Sequence, residues 1–227
     1  MSPRGGGQRI PRPTAWTEGG APRWVADDPT ALMLDNLRRR LADRGPGRPT
    51  ATVIEGSKDS AVLVALFEDE GQVHVLLTVR SQHLRNHKGE VSFPGGRVDP
   101  GETALGAALR EAAEEIALDP TSVEIIGALD DVATVGSRSL IHALVGVVPE
   151  RPTQLRMSPH EVERVLFVPL SELMAEGVFR EERWGVEPLQ RSIYFFELAD
   201  ETVWGATARM LVNLLCIAHG VDDASDR

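Results

Sequence analysis

Cysteine is nearly absent from this sequence. Its 227 residues include one cysteine, Cys216, so no intramolecular disulfide can form, and the count fits a reducing cytosol. We therefore predict a cytoplasmic protein. Long apolar runs are absent as well: no stretch approaches the roughly 18 apolar residues of a membrane-spanning helix, which argues against a membrane partner. Residues 1–13 are rich in glycine, proline and arginine and lack an apolar core, so we expect no secretory signal.

The sequence also lacks an excess of basic residues. It has 24 Lys and Arg against 34 Asp and Glu, which gives a formal net charge of −10. A protein that coats nucleic acid needs a basic face, so we expect no nucleic-acid partner. A small anionic ligand remains compatible, because a local site can oppose the overall charge. The apolar content of 42% is sufficient for a hydrophobic core.

The distribution of glycine and proline divides the chain into four parts. Residues 1–29 carry four prolines within the first 22 positions and many glycines, and they are predicted to form a flexible N-terminal arm, on which Trp16 and Trp24 are candidates for local docking. Residues 30–49 contain an amphipathic helix over 31–44, followed by the linker Gly45-Pro46-Gly47. A compact domain is predicted over 50–220, and residues 221–227 form a tail.

Within the compact domain, the periodicity of apolar residues predicts more strands than helices. Helices are expected over 103–118 and 205–219, with Thr103 as the N-cap of the first, and a short helical turn over 169–175. Strands are expected over 60–67, 73–78, 90–93, 123–129, 142–148, 165–168 and 193–198. Because strictly alternating β-α units are missing, we predict an α/β fold with a mixed sheet flanked by helices.

The helix over 103–118 carries the most informative pattern. Glu111, Glu114 and Glu115 lie at positions i, i+3 and i+4 and share one face, where like charges repel one another. A fold that keeps them is expected to place a cation there. Clustered carboxylates without His or Cys suit Mg²⁺ or Mn²⁺ and not zinc. Arg110 lies one turn before Glu114 and can brace a carboxylate, including that of Glu102 on the preceding loop.

The spacing of this segment resembles the Nudix box, G-x5-E-x7-R-E-U-x-E-E-x-G-U, in which U is a bulky aliphatic residue. The matching positions are Gly96, Glu102, Arg110, Glu111, Glu114, Glu115 and Leu118, whereas Ala112 and Ala117 depart from the pattern. Ala117 replaces the final glycine and raises the question of whether the helix ends in a left-handed turn. The resemblance implies an α/β/α sandwich and metal-dependent hydrolysis of a nucleoside diphosphate linked to another group. It implies that Glu111, Glu114 and Glu115 bind the metal and act in catalysis, with Glu102 and Arg110 organising the site.

The preceding stretch narrows the resemblance further. Residues 76–96, LLTVRSQHLRNHKGEVSFPGG, resemble the signature of the coenzyme A pyrophosphatase branch, L-L-T-x-R-S, three residues, R, three residues, G, three residues, F-P-G-G. The implied reaction converts coenzyme A and water to 3′,5′-ADP and 4′-phosphopantetheine. Guanidinium groups bind phosphate oxygens in bidentate fashion, so this cationic stretch suits such a substrate. The candidate substrate-binding residues are Arg80, Arg85, His87, Lys88, Gly95, Gly96 and Arg97.

A general base outside the box is harder to identify. Glu161, in a Pro-x-Glu-Val element that weakly resembles the same branch, is our candidate, with Glu163 nearby; one of the box glutamates is the alternative. Two other functions stay open. The first is a Nudix hydrolase acting on ADP-ribose, NADH or a damaged nucleotide, and the second is a Nudix-fold binding or regulatory module without activity. The sequence also leaves a homodimer open.

Overall fold

The computed structural model describes residues 4–8, 10–24, 28, 30–50, 55–84 and 86–223. The helices are α1 (Leu34–Arg44), α2 (Ala104–Ile116), α3 (Leu170–Leu173) and α4 (Gly205–His219), with a 3-10 turn at Pro120–Ser122. The strands are β1 (Trp16–Glu18), β2 (Lys58–Asp69), β3 (Gln72–Arg80), β4 (Val91–Ser92), β5 (Gly95–Arg97), β6 (Glu124–Ala128), β7 (Val132–Thr134), β8 (Ser139–Val147), β9 (Val162–Pro169), β10 (Phe179–Trp184), β11 (Arg191–Glu197) and β12 (Thr202–Trp204).

The strands form a large sheet of eight strands and a small sheet of four. In the large sheet β2 pairs in parallel with β8, while its pairings with β3 and β5 are antiparallel. The small sheet has the order β1-β10-β11-β12, and its strands are antiparallel throughout. The mixed sheet predicted from the sequence is therefore confirmed.

Alternation along β2 separates two cores. Ala61, Leu63 and Ala65 face α2, which covers them with its alanines, and Val64 and Leu66 face the opposite core. Side chains on a strand alternate between faces, so a strand buried on both sides reads as a continuous apolar run. The second core contains α4, Leu37 and Leu41 of α1, and the small sheet. The described residues thus form an α/β/α sandwich in which α2 covers one face of the large sheet.

The N-terminal segment differs from the predicted flexible arm wherever it is described. β1 pairs with β10, and Trp24 is buried with its ring 5.0 Å from that of Phe179. Ion pairs and backbone hydrogen bonds also hold the segment, among them the contact of Arg12 with the buried Glu182, and such contacts leave no apolar periodicity in the sequence from which to predict them. No helix in the described ranges has both the length and the hydropathy needed to cross a membrane.

Candidate active site

Helix α2 begins at a capped turn and carries its glutamates next to the glycine-rich strand β5. The Oγ1 of Thr103 accepts a hydrogen bond from the backbone N–H of Gly106 at 3.0 Å, so the predicted cap is confirmed. Ala107, Ala108 and Ala112 lie against the large sheet, and small side chains there let the helix approach closely. Beside these alanines the helix carries Glu111, which is half-buried, and further round its surface Glu114, which is exposed.

Arg110 is the centre of the ionic contacts on this face. Its Nε and Nη2 donate to both carboxylate oxygens of Glu102 at 3.0 and 3.1 Å, and its Nη1 donates to Glu111 at 2.9 Å and Glu114 at 3.0 Å. Its Nη2 also donates to the carbonyl oxygen of Arg97 at 3.0 Å, which ties β5 to the helix. The hydrogen bonds between Arg110 and Glu102 are the main cause of both pKa shifts: they raise the pKa of Arg110 and lower that of Glu102. Arg110 therefore offsets the repulsion among the carboxylates of this face.

Glu115 is the buried member of the set. Its residue is 4% exposed, Oε2 accepts a hydrogen bond from the backbone N–H of Gly95 at 3.3 Å, and Oε1 lies 3.8 Å from Nη1 of Arg80. Burial raises the pKa of Glu115 to about 7, although Arg80 and Gly95 act in the other direction. Burial also raises the pKa of Glu111, against the effect of Arg110. Two carboxyl groups on this face thus lack full compensation for their loss of hydration.

Gly95 and Gly96 allow the close approach of β5 to β2 and α2. A Cβ atom on Gly95 would overlap the carbonyl oxygen of Ala61, and one on Gly96 would overlap Oε1 of Glu111. Both glycines were predicted as substrate-binding residues. The structure gives them a packing role beside the carboxylates, and substrate contact stays a prediction.

The C-terminal end of α2 turns in the left-handed conformation. Ala117 has φ 56° and ψ 33° at the position where the Nudix box has glycine. The helix therefore does end in a left-handed turn, at a steric cost that alanine bears and glycine would not.

We expect Ala117→Gly to raise the free energy of unfolding by about 0.5–1 kcal/mol, because it removes the Cβ clash of the left-handed conformation. Urea unfolding of both proteins measures the change. Ala113→Gly, in the middle of the same helix, is the matched control and should lower the free energy of unfolding by about 1 kcal/mol. A loss of stability in Ala117→Gly would contradict the steric explanation.

A loop over residues 156–161, which we call the base loop, covers the same end of α2. The N–H groups of Arg156 and Ser158 donate to the carbonyl oxygens of Ile116 at 3.0 Å and Glu115 at 2.8 Å, and these carbonyls have no partner within the helix. The loop carries Glu161, which is exposed and whose negative charge adds to burial in raising the pKa of both Glu111 and Glu115. The structure thus brings the candidate base to the carboxylate face.

The predicted cationic residues differ in their positions relative to the carboxylates. Arg80 ends β3 beside Glu115, and Arg97 is exposed on β5. His87 and Lys88 are exposed on the loop after β3, where Nδ1 of His87 lies 2.9 Å from Oε2 of Glu90. Arg85 lies outside the described residues.

The carboxylates do not form a closed metal cage in this structure. Within the described ranges, no three acidic, histidine or cysteine side chains converge closely enough to hold a metal ion. Arg110 accounts for this arrangement, because it binds Glu111 and Glu114. The donors still fit Mg²⁺ or Mn²⁺, since they are carboxylate oxygens on one helix face and the raised pKa of Glu115 marks a buried carboxyl that a cation would stabilise as the anion.

Ser81 belongs to the upstream pattern L-L-T-x-R-S, and the sequence indicates no role for it. Ser81, which follows Arg80, is 3% exposed, and its backbone N–H donates to the carbonyl oxygen of Glu161 at 2.8 Å. The one signal for Ser81 in the sequence was its position next to Arg80, a candidate phosphate-binding residue. Its partner lies 80 positions along the chain, and only the tertiary structure shows the contact.

An acidic helix packed over a glycine-rich strand of a mixed sheet defines an α/β/α sandwich with a carboxylate site at its outer face. Comparison with known proteins agrees: residues 57–189 match the NUDIX domain family. This chain therefore belongs to the Nudix family, and its sandwich is the Nudix fold predicted from the box.

Three relatives illustrate the range of similarity. "Nudix hydrolase 3" of Caenorhabditis elegans is 38% identical over 159 residues, which are 68% of this chain and 65% of the relative. "Nudix hydrolase 22, chloroplastic" of Arabidopsis thaliana is 33% identical over 197 residues, 82% of this chain and 63% of the relative. "Uncharacterized Nudix hydrolase NudL" of Salmonella typhimurium is 34% identical over 188 residues, 82% of this chain and 95% of the relative. The alignments thus span less than two thirds of the first two relatives.

Proposed function

We propose that this protein is a metal-dependent pyrophosphohydrolase that cleaves coenzyme A, or its acyl and oxidised derivatives, to 3′,5′-ADP and 4′-phosphopantetheine. One observation carries the proposal. The two sequence patterns over residues 76–118 are in contact, because Arg80 of the upstream pattern lies 3.8 Å from Glu115 of the box and Gly95 donates a hydrogen bond to the same carboxylate. The pattern that indicates coenzyme A is therefore adjacent to the carboxylates that indicate pyrophosphate hydrolysis.

Glu111, Glu114 and Glu115 would hold the divalent cation. When bound, Mg²⁺ or Mn²⁺ neutralises charge on pyrophosphate oxygens and lowers the pKa of a bound water molecule. Glu102 holds Arg110 through two parallel hydrogen bonds, and Arg110 in turn sets the positions of Glu111 and Glu114. Catalysis on this surface rests mainly on positioning and on electrostatic stabilisation.

The other residues have complementary tasks in this proposal. Arg80 binds a pyrophosphate oxygen, and the exposed cations Arg97 and Lys88, with His87 beside Lys88, face the remaining phosphate charge of a substrate that has a 3′-phosphate besides its pyrophosphate. Glu161 accepts the proton of the attacking water. The protein's acidic surface elsewhere leaves these cations as a local attractive patch for an anion.

The test is a product assay on the purified full chain. Coenzyme A, ADP-ribose and NADH are incubated separately with Mg²⁺ or Mn²⁺, and the products are resolved by chromatography, with Glu114→Gln as the control. Formation of 3′,5′-ADP and 4′-phosphopantetheine, lost in the variant, supports the proposal. Turnover of ADP-ribose or NADH alone would replace coenzyme A as the proposed substrate. The absence of any metal-dependent turnover would favour a binding module.

Arg80→Ala should lower kcat/KM for coenzyme A by about 10- to 100-fold, since a charge-assisted phosphate contact contributes roughly 1.5–3 kcal/mol. Arg80→Lys is the matched control. It keeps the positive charge beside Glu115 but loses the bidentate geometry, so we expect an intermediate loss. Steady-state kinetics on the three proteins measure the effect, and equal activity in all of them would exclude a phosphate contact.

A further inference from the structure

The base loop is attached to the carboxylate helix at its beginning. Arg156 and Ser158 donate backbone hydrogen bonds to the last turn of α2, as described above. The carbonyl oxygen of Ser158 then accepts from the N–H groups of Glu161 at 3.0 Å and Val162 at 2.8 Å. The loop therefore closes into a turn whose first residue is fixed to the backbone of Glu115 itself.

Ser81 attaches the other end of the base loop to the large sheet. Its Oγ donates to the carbonyl oxygen of Pro159 at 3.3 Å, and its N–H donates to the carbonyl oxygen of Glu161 at 2.8 Å. The same Oγ accepts a hydrogen bond from the N–H of His83 at 3.3 Å, at the start of the loop with the exposed cations. One buried hydroxyl, at the end of β3, thus joins the base loop to the loop that carries Lys88.

These contacts restrict where the Glu161 side chain can lie. Its backbone is held on one side through Ser158 and α2 and on the other side through Ser81 and β3, while its side chain is exposed and near enough to Glu111 and Glu115 for its charge to act on both. Arg80, immediately before Ser81, contacts Glu115 on that face. A displacement of about 1 Å in a reacting group can cost roughly 100-fold in rate, so the attachment is relevant to chemistry as well as to stability.

We propose that Ser81 is a positioning residue, whose buried hydroxyl holds the base loop so that the carboxylate of Glu161 faces the reacting water. The proposal rests on the proposed function, in which Glu161 is the general base. Ser81 contacts neither substrate nor metal in this account. It acts only through Glu161, and this makes a specific kinetic prediction.

A double-mutant cycle tests the dependence of Ser81 on Glu161. Glu161→Gln is expected to lower kcat by 10²- to 10⁴-fold, the usual contribution of a general base. When Glu161 is intact, Ser81→Ala should lower kcat at least 10-fold, with KM changed less than about 3-fold. In the background of Glu161→Gln, the same substitution should change kcat less than about 3-fold, because the group that it positions is gone.

Two further variants separate positioning from folding. Ser81→Thr keeps the hydroxyl and should recover most of the activity. Ser171→Ala removes a hydroxyl that donates to Gln72 at 2.7 Å, at the opposite end of β3, and should leave kcat unchanged. Thermal unfolding of each protein verifies that all retain the fold. An equal loss from Ser81→Ala in both backgrounds would overturn the proposal, as would failure of Ser81→Thr to recover activity in a folded protein.

The substrate proposal and the positioning proposal can fail separately. If the product assay shows turnover of ADP-ribose or NADH and not of coenzyme A, the substrate proposal fails and the cycle is measured on the substrate that is cleaved. If Glu161→Gln keeps full activity on the substrate that is cleaved, Glu161 is not the base and the positioning proposal is overturned, while the substrate identification stands.

Discussion

Glu115→Gln is expected to abolish metal-dependent turnover, with a loss of at least about 10³-fold in kcat, because it removes a buried anionic ligand while keeping the shape of the side chain. The amide can no longer neutralise a cation, and it has the same backbone position on α2 next to Gly95. Initial rates with saturating Mg²⁺ or Mn²⁺ measure the loss. Glu176→Gln, an exposed carboxylate between α3 and β10, is the matched control and should retain activity. Comparable rates for Glu115→Gln and the native protein would remove Glu115 from the metal site.

The same substitution should have the opposite effect on the stability of the metal-free protein. The folded-state pKa of Glu115 is about 7, above its ordinary value of 4.5. The fold therefore favours the protonated carboxyl, and the cost of ionising it is absent below pH 4.5, grows up to pH 7 and is constant above that. Glutamine carries no such cost. Without metal, Glu115→Gln should be more stable than the native protein at pH 8, by up to about 3 kcal/mol, and equally stable at pH 4.

Denaturant unfolding at the two pH values, with a chelator present, measures this difference. Added Mg²⁺ should stabilise the native protein at pH 8 and have little effect on Glu115→Gln, since binding to the folded state alone raises its stability. Below pH 7 a proton competes with the cation for Glu115, so the stabilisation by Mg²⁺ should weaken as the pH falls. A stability difference that is independent of pH would show that Glu115 is ionised at little cost.

Gly96→Ala should reduce kcat by about 100-fold with little loss of stability. The added methyl group overlaps the carboxylate of Glu111, which is the flexible end of a side chain and can move aside. Moving it breaks the alignment of Glu111 with Glu114 and Glu115 but leaves the core intact. Activity and thermal unfolding of the same sample measure both quantities.

Gly136→Ala is the matched control for this substitution. Gly136 lies in the turn between β7 and β8, and a Cβ there meets no atom within 4 Å. We expect it to retain full activity. If Gly96→Ala loses stability in proportion to activity, the glycine serves the packing of β5 on β2 more than the alignment of Glu111.

The elements with local signals were predicted well. α4 was predicted over 205–219 and is found at Gly205–His219, and α2 was predicted over 103–118 and is found at Ala104–Ile116. Both have apolar residues at helical spacing, and α2 has a capping threonine, which are signals that arise within a few residues. β10 was missed because its sequence, FREERW, is charged. Its Glu182 is buried among Arg12, Arg180 and Trp184, partners that a reading of single segments cannot assemble.

The sequence by itself determined which carboxylates come together and to which family the chain belongs: the glutamates of α2 share a face because a helix repeats every 3.6 residues, and the box spacing identified the family. Only the tertiary structure decided how those groups are compensated. Arg110 holds Glu102, Glu111 and Glu114, burial against the sheet raises the pKa of Glu115, and Ser81 and the end of α2 hydrogen-bond to the loop that carries Glu161. These facts depend on contacts between distant segments and on exclusion of water, and neither is encoded in the spacing of residues along one element.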